Sequence, residues 1–396
     1  MKVLVVGVGV AGPTLAYWLL RAGHEPVLVE RAPALRRGGH LVDFWGAGFD
    51  VAEKMDIVAE LRRRGHRFTE ARAVTSRGKG FASFTPGAIV GSDERYVSIP
   101  RSDLAATVHD ALEGRVETIF DDTVSTLEDD GVRVRVTFES GYEREVDLVV
   151  GADGLHSRVR RLVFGPQERF ERRLGIVVCA FDVTGYGPRD DLVAVMYAGI
   201  GFQLVRLSMP GDVTMFLITL RHAGDVPETD PVAQQDLLRE RLAGAGGETS
   251  AALEAMSSSD SFYFDRVSQI RMPAWTRGRV GLVGDAAACP SLLAGQGSAL
   301  AMIEAYVLAA ELAGSGGDHA GAFSRYEERL ASFVRAKQDG VRGLGVAFAP
   351  RNRGQLILRN AVLRLLGQPF VAARVMGTSF RDAVELPVWT PAGSSP

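Results

Sequence analysis

The sequence has only two cysteines, Cys179 and Cys289, among 396 residues. Two thiols cannot build a disulfide framework or a clustered metal site, and their scarcity is typical of proteins from a reducing compartment. The seven histidines are scattered and show no HxxxH spacing. We therefore predict that the protein binds no metal.

Neither sign of charge is in large excess. The 45 basic and 48 acidic side chains give a formal net charge of −3, which offers no electrostatic basis for nucleic-acid binding. No uncharged apolar run reaches the roughly 20 residues that a membrane-spanning helix needs. The N-terminus also lacks the apolar core and cleavage site of a signal peptide. We expect a cytoplasmic protein with no membrane contact.

Glycine, in contrast, is abundant: it accounts for 45 of the 396 residues, whereas its usual share is about 7%. The first cluster, Gly7, Gly9 and Gly12, follows the apolar run Lys2–Val6, and Glu30 ends the next apolar run. In this GxGxxG spacing the glycines allow a tight turn and close approach of a pyrophosphate, while the acid binds a ribose. The segment predicts a dinucleotide site, for either FAD or NAD, at a helix N-terminus.

Two later glycine clusters favour FAD over NAD. Gly151-Ala152-Asp153-Gly154 follows one buried apolar run, and Gly284-Asp285-Ala286-Ala287 follows another, with Gly295-Gln296-Gly297 beyond it. With the three motifs in this order, residues 1–345 resemble the FAD-dependent aromatic hydroxylase-type monooxygenases of the p-hydroxybenzoate hydroxylase fold. The chain is most similar to the branch that holds the tetracycline-inactivating monooxygenases and actinobacterial tailoring enzymes.

The resemblance implies an α/β fold in which a Rossmann-like FAD-binding domain carries an inserted antiparallel β-sheet substrate domain and a C-terminal helix. The implied segments are FAD-binding residues 1–75, a substrate-domain segment 76–100, FAD-binding residues 101–175, the substrate domain 176–272, FAD-binding residues 273–345, and a helical region and tail 346–396. Helical patterns also cover Gly48–Arg63, Leu300–Leu312 and Ala320–Arg335.

The resemblance also implies which residues bind FAD, and it makes Arg160 a structural residue of the second motif. The implied FAD-binding residues are Gly7, Gly9, Ala11, Gly12, Glu30, Arg31, Asp43, Arg101, Asp153, Asp285, Gly295, Gly297 and Ser298.

The implied reaction uses NAD(P)H, O2 and an aromatic or polyketide-like small molecule. NAD(P)H reduces FAD, and a C4a-(hydro)peroxyflavin then oxygenates the substrate by hydroxylation or Baeyer–Villiger oxidation. No second GxGxxG is present, so NAD(P)H is expected to visit the FAD cleft transiently. The flavin carries the chemistry, and we assign no catalytic side chain.

Four strand-like runs between Ile176 and His222, separated by Gly, Pro and Asp turns, predict an antiparallel sheet. Alternation places Phe202, Leu204 and Arg206 on one of its faces. Arg206 is charged within an apolar strand and therefore requires a partner. The predicted substrate pocket consists of Met196, Phe202, Leu204, Arg206, Met215 and Phe216.

Two positions depart from the family's pattern near the expected flavin ring. Ala288-Cys289 stands where the family usually has a histidine, and Ala299 stands where it usually has an asparagine. These departures keep open an FAD-dependent reductase or oxidase of natural-product biosynthesis that does not insert oxygen, and a catalytically silent flavin-binding partner. A nucleophilic role for Cys289 is disfavoured because no histidine lies near it in sequence.

Overall fold

The computed structural model describes residues 1–36, 40–87, 94–367 and 384–389, without the side chains of residues 342–344. Part of the glycine loop before His40, part of the predicted segment 76–100, and residues 368–383 and 390–396 of the predicted helical region and tail lie outside the described residues.

The described residues form eighteen strands and eleven α-helices. The strands are β1 Lys2–Val6, β2 Glu25–Glu30, β3 Leu41–Trp45, β4 Glu70–Val74, β5 Gly80–Phe84, β6 Tyr96–Pro100, β7 Glu117–Phe120, β8 Val124–Asp129, β9 Val134–Phe138, β10 Glu143–Val146, β11 Leu148–Gly151, β12 Glu171–Thr184, β13 Val193–Gly199, β14 Phe202–Met209, β15 Val213–Arg221, β16 Phe262–Ile270, β17 Thr276–Arg277 and β18 Val280–Leu282. The helices are α1 Ala11–Arg21, α2 Ala47–Lys54, α3 Val58–Arg64, α4 Arg101–Asp110, α5 Arg158–Val163, α6 Pro231–Arg241, α7 Thr249–Ala255, α8 Asp285–Ala288, α9 Gly297–Ala313, α10 His319–Phe348 and α11 Arg353–Leu366.

The first sheet has the strand order β17-β18-β11-β1-β2-β7, and every neighbouring pair except β17–β18 is parallel. Its central strand β1 is fully buried at Val3, Leu4 and Val5, as expected for a parallel strand covered on both faces. Helices α1 and α9 pack against each other over this sheet. The sheet therefore has the Rossmann-like arrangement that the first motif predicted.

The second sheet has the order β16-β12-β15-β14-β13-β4-β5. Its neighbours pair antiparallel except for β13 and β4, which run parallel. The predicted α/β fold with an antiparallel sheet is confirmed. The predicted boundary at residue 75 separates β4 from β5, although these two strands pair with each other in this sheet. The segment division as a whole stays a prediction.

The two faces of the second sheet have different neighbours. On one face, which we call the outer face, Phe202, Leu204 and Phe216 form a core with Leu238 of α6 and Ala252 of α7. We call the opposite face the inner face. It carries apolar side chains from four strands, namely Ala71, Ala194, Met196, Val205 and Met215.

Arg206 lies on the outer face, where its side chain is 4% exposed. Its Nε atom is 2.8 Å from Oε2 of Glu248, and its Nη1 donates to the carbonyl of Pro188 at 2.7 Å. Glu248 immediately precedes α7. The partner that the sequence required for Arg206 is therefore a carboxylate that attaches α7 to the sheet.

The helical pattern over Gly48–Arg63 is divided into two helices, a correction to the single helix that periodicity predicted. Helix α2 ends at Lys54, and Asp56 adopts a positive φ of 58°, which a continuous helix cannot contain. Helix α2 also comes close to α9. A Cβ at Gly48 would lie 2.6 Å from the Cβ of Ala299.

Replacing Glu248 by Gln should destabilise the protein because it leaves a buried guanidinium without its counter-charge. We expect the free energy of unfolding to fall by about 2 kcal/mol, below the range for fully buried pairs because Glu248 is partly exposed. Glu254→Gln, at an exposed position on α7, is the control and should leave stability unchanged. Urea unfolding of both variants measures the difference. Equal stabilities would show that the ion pair contributes nothing.

Candidate FAD-binding site

The three glycine motifs meet at one edge of the first sheet because the parallel strands are in register. Val6 pairs with Gly151, and Gly151 pairs with Leu282. The hydrogen-bond ladder continues into each turn, since Gly7 N donates to Val29 O at 2.8 Å and Ala152 N donates to Val6 O at 2.7 Å. The carboxyl ends of four adjacent parallel strands therefore bound a single crevice, where α/β proteins bind their ligands.

The turns also touch one another directly. A Cβ on Gly7, which has a φ of +108°, would lie 2.5 Å from the carbonyl oxygen of Ala152. A Cβ on Gly284 would lie 3.1 Å from the Cβ of Ala11. The first turn is thus packed against both of the others, and a side chain at Gly7 would separate it from the second.

Glu30 fixes the first turn from the neighbouring strand. Its two carboxylate oxygens accept hydrogen bonds from Val8 N at 2.9 Å and Ala32 N at 3.1 Å. A carboxylate offers about four lone-pair directions, so acceptor capacity remains for ribose hydroxyls. Arg31, the next residue in the predicted set, is exposed at the rim.

The crevice has the open space and free donors that FAD requires. A Cβ on Gly9 or Gly295 would have no heavy atom within 4 Å. Helices α1 and α9 begin without a side-chain cap, so their first N–H groups can bind phosphate or the flavin edge. The side-chain nitrogen of Gln296, buried in the turn before α9, has no hydrogen-bond partner among the described residues. These features fit the cofactor.

Around the middle of the crevice the predicted charged residues lie near one another. Arg101 Nη2 is 3.9 Å from Oδ2 of Asp285, and both side chains are partly exposed. The ring of His40 lies against Tyr263, with 5.1 Å between centroids and an interplanar angle of 39°. Burial, and after it the charge of Arg101, lowers the pKa of His40 to about 4. A neutral imidazole therefore links this part of the crevice to the second sheet.

Asp43 lies on β3 and accepts hydrogen bonds from the hydroxyls of Tyr96, at 2.8 Å, and Ser98. Ser98 is on β6, which pairs with β3. Ser298, also in the predicted set, occupies the first turn of α9 and is partly exposed.

Asp153 and Arg160 hold the second turn in place. The Asp153 carboxylate accepts from Ser157 Oγ at 2.5 Å and Arg158 N at 2.7 Å, so it stabilises the start of α5. Arg160 is fully buried and donates to Ala286 O at 3.0 Å, which ties the second turn to the third. Arg160 thus has the structural position that the resemblance implied. The Asp153 carboxylate makes its hydrogen bonds within the turn itself.

The six residues predicted for the substrate pocket do not line one surface. Met196 and Met215 lie on the inner face, whereas Phe202, Leu204, Arg206 and Phe216 lie on the outer face beneath α6 and α7. Leu204 and Arg206 also line a separate outer cavity of about 290 Å³. The alternation was predicted correctly, but four of the six predicted residues lie on the face that the helices cover.

Sequence reasoning missed three residues of the inner surface: Leu41, Leu217 and Tyr263. Leu41 and Leu217 pack beside Met196, and Leu217 and Tyr263 also pack against Leu292 just before the third motif's Gly295. The period of two that relates Leu217 to Met215 was an available signal for one of them. Leu41 and Tyr263 come from distant strands and gave no such signal.

Cys289 is buried beside the third turn, with its Sγ 3.8 Å from the carbonyl oxygen of Ser268. Burial raises the pKa of its thiol well above the ordinary value, and the nearby charge of Asp285 adds to this. The thiolate needed for a nucleophile is therefore disfavoured.

Over the described ranges, no group of three or more His, Cys, Asp or Glu is placed to hold a metal ion. Within those ranges, no helix has the length and apolar character to cross a membrane.

Comparison with known proteins agrees with this geometry. Residues 1–337 match the family described as FAD binding domain. The chain belongs to this family.

Relatives and solved structures define the class further. A flavin-dependent monooxygenase of Legionella longbeachae is 34% identical over 341 residues, which cover 85% of this chain and 87% of that protein. An uncharacterized protein of Mycobacterium tuberculosis (strain H37Rv) is 40% identical over 352 residues, which cover 85% of this chain and 92% of that protein. The crystal structure of tetracycline destructase Tet(55) is similar with a TM-score of 0.82 and 31% identity over 98% of each chain. The protein is an FAD-dependent oxidoreductase of the aromatic hydroxylase-type monooxygenases.

Both thiols should be inert in the folded protein, because Cys179 and Cys289 are buried and burial raises the pKa of each. An exposed cysteine has a pKa near 8.5 and reacts readily at pH 8. We expect a disulfide reagent to detect no thiol in the native protein and both thiols after unfolding. Val132→Cys, at a site that is 70% exposed, is the positive control. Reaction of Cys289 as fast as that control would restore its candidacy as a nucleophile.

Proposed function

We propose that this flavin monooxygenase uses NAD(P)H and O2 to oxygenate an aromatic or polyketide-like small molecule, by hydroxylation or Baeyer–Villiger oxidation. The observation that carries the proposal is the position of the apolar inner face. It packs with Leu292 and Leu293, which lie shortly before Gly295 of the third motif, and with Leu41, two residues before Asp43.

The inner face supports a planar apolar substrate. Met196, Leu207 and Leu217 are only partly buried there, and none of them carries a charge. Methionine is flexible and polarizable, which suits contact with aromatic rings of varied shape. Such a surface, with few polar groups, is typical of a small-molecule site.

In this proposal FAD supplies the electron transfer and oxygen activation, and the chain supplies binding, orientation and exclusion of water. Gly7, Gly9 and Glu30 would hold the adenosine half, and Asp285 and Arg101 the central part. The unpaired N–H groups at the start of α9 would face the flavin and stabilise negative charge on it. The proposal includes a transient visit of NAD(P)H to the same crevice. It also includes the division of the chain into FAD-binding and substrate-domain segments that the resemblance implies.

Isotope labelling tests the proposed reaction. We expect purified protein with FAD to oxidise NAD(P)H in ¹⁸O2 and to place the label in an aromatic or polyketide-like product. Protein without FAD is the control and should oxidise none. Substrate turnover without label in the product would contradict oxygen insertion and favour the reductase or oxidase alternative.

Gly9→Ala should separate the cofactor role of the first turn from its role in folding. A Cβ at Gly9 meets no protein atom within 4 Å, so the apoprotein should fold with unchanged thermal stability. The methyl group would instead meet the pyrophosphate, and we expect the Kd for FAD to rise at least about tenfold. Fluorescence titration of the apoprotein with FAD measures this.

Gly340→Ala is the matched control for this substitution, because Gly340 is exposed on α10 and its Cβ would also have open space. It should leave the Kd for FAD unchanged. An unchanged Kd in Gly9→Ala would show that FAD does not approach the backbone there.

A further inference from the structure

Glu304 is a carboxylic acid with no solvent exposure, in the middle of α9. Its Oε2 accepts a hydrogen bond from Gly284 N at 2.5 Å, and its Oε1 has no hydrogen-bond partner among the described residues. It lies outside the three glycine motifs. A buried carboxyl group with an unsatisfied oxygen requires an explanation.

The hydrogen bond from Gly284 fixes the residue immediately before Asp285. Gly284 has a φ of +65° and stands between the end of β18 and the start of α8. It also packs against Ala11 at the beginning of α1. The backbone N–H of Gly284 is buried, so without an acceptor it would carry the cost of an unpaired donor.

A second buried side chain fixes the strand side of the same turn. Tyr326 on α10 is fully buried, and its hydroxyl donates to the carbonyl of Leu282 at 3.0 Å. Leu282 is the last residue of β18. Glu304 and Tyr326 therefore hold both ends of the three residues that lead to Asp285.

The surroundings favour the neutral form of Glu304. Burial raises the pKa of its carboxyl well above the ordinary value, and the nearby charge of Asp285 raises it further. The hydrogen bond from Gly284 acts in the opposite direction but is the smaller influence beside burial. A neutral acid accepts the Gly284 hydrogen bond without adding a second negative charge behind Asp285, where an anionic cofactor must bind.

We propose that Glu304 is a positioning residue that holds the Gly284–Asp285 turn in the conformation that binds FAD. It acts through the backbone of Gly284 and does not touch the cofactor itself. The proposal rests on the assignment of Asp285 to the FAD site made under the proposed function, but not on oxygen insertion.

Two substitutions at this position separate hydrogen bonding from charge. Glu304→Gln keeps a neutral carbonyl acceptor for Gly284 N, and we expect its Kd for FAD to stay within about threefold of the wild type. Glu304→Met fills a similar volume without an acceptor, and we expect its Kd to rise about tenfold, with a changed absorption spectrum of the bound flavin. FAD titration of the apoproteins and their thermal unfolding are measured together.

Glu311→Gln is the matched control for a structural effect. Glu311 is on the same helix, is 8% exposed and pairs with Arg325 and Arg329, away from the third turn. We expect this variant to lose stability while its Kd for FAD and flavin spectrum stay as in the wild type. A rise in Kd equal to that of Glu304→Met would show that both substitutions act through general destabilisation and would overturn the proposal.

A double-mutant cycle with Asp285→Asn tests whether Glu304 acts through Asp285. We expect Glu304→Met to add little to the loss of FAD affinity that Asp285→Asn causes alone. Fully additive losses, or unchanged affinity in Glu304→Met, would overturn the proposal. Wild-type protein that binds no FAD would overturn it together with the site assignment. FAD binding without label transfer from ¹⁸O2 would overturn only the proposed reaction.

Discussion

The register of four parallel strands is the constraint on which the rest of the site depends. Because Val6, Gly151 and Leu282 stand at the same level of the sheet, three sequence motifs that are more than a hundred residues apart begin at one edge. A slip of one residue in any strand would turn its buried side chains to the opposite face. The apolar runs of these strands thus determine where the glycine turns lie as well as how the core packs.

Contact between the turns adds a second requirement. The first turn lies so close to the second that the Cβ of any residue other than glycine at position 7 would clash with the backbone at Ala152. Arg160 joins the second turn to the third through Ala286. The crevice is therefore a single packed unit before any ligand binds, which lowers the ordering cost that binding would otherwise carry.

The sequence was sufficient for the parts that local patterns determine. The GxGxxG turn, Glu30 at the end of β2, the buried parallel strands and the alternation along β14 could all be read from short windows. The face of β14 that helices cover could not, because alternation defines two faces without saying which one will be buried under other elements. Helices α6 and α7 cover the face of Phe202, and that contact joins residues far apart in the chain.

The two departures from the family's pattern have packing explanations in this structure. Ala299 lies against Gly48 where α2 crosses α9, and this close contact accounts for a small residue at that position. Cys289 is enclosed by β16 and α10, with its backbone carbonyl accepting from Ile270 N at 3.1 Å and from Gln338 Nε2 at 3.4 Å. The Cys289 thiol is buried near Asp285, and burial disfavours its thiolate form. Packing therefore accounts for the residues found at both positions, and the choice between oxygen insertion and a reductase or oxidase reaction depends on how the substrate meets the flavin.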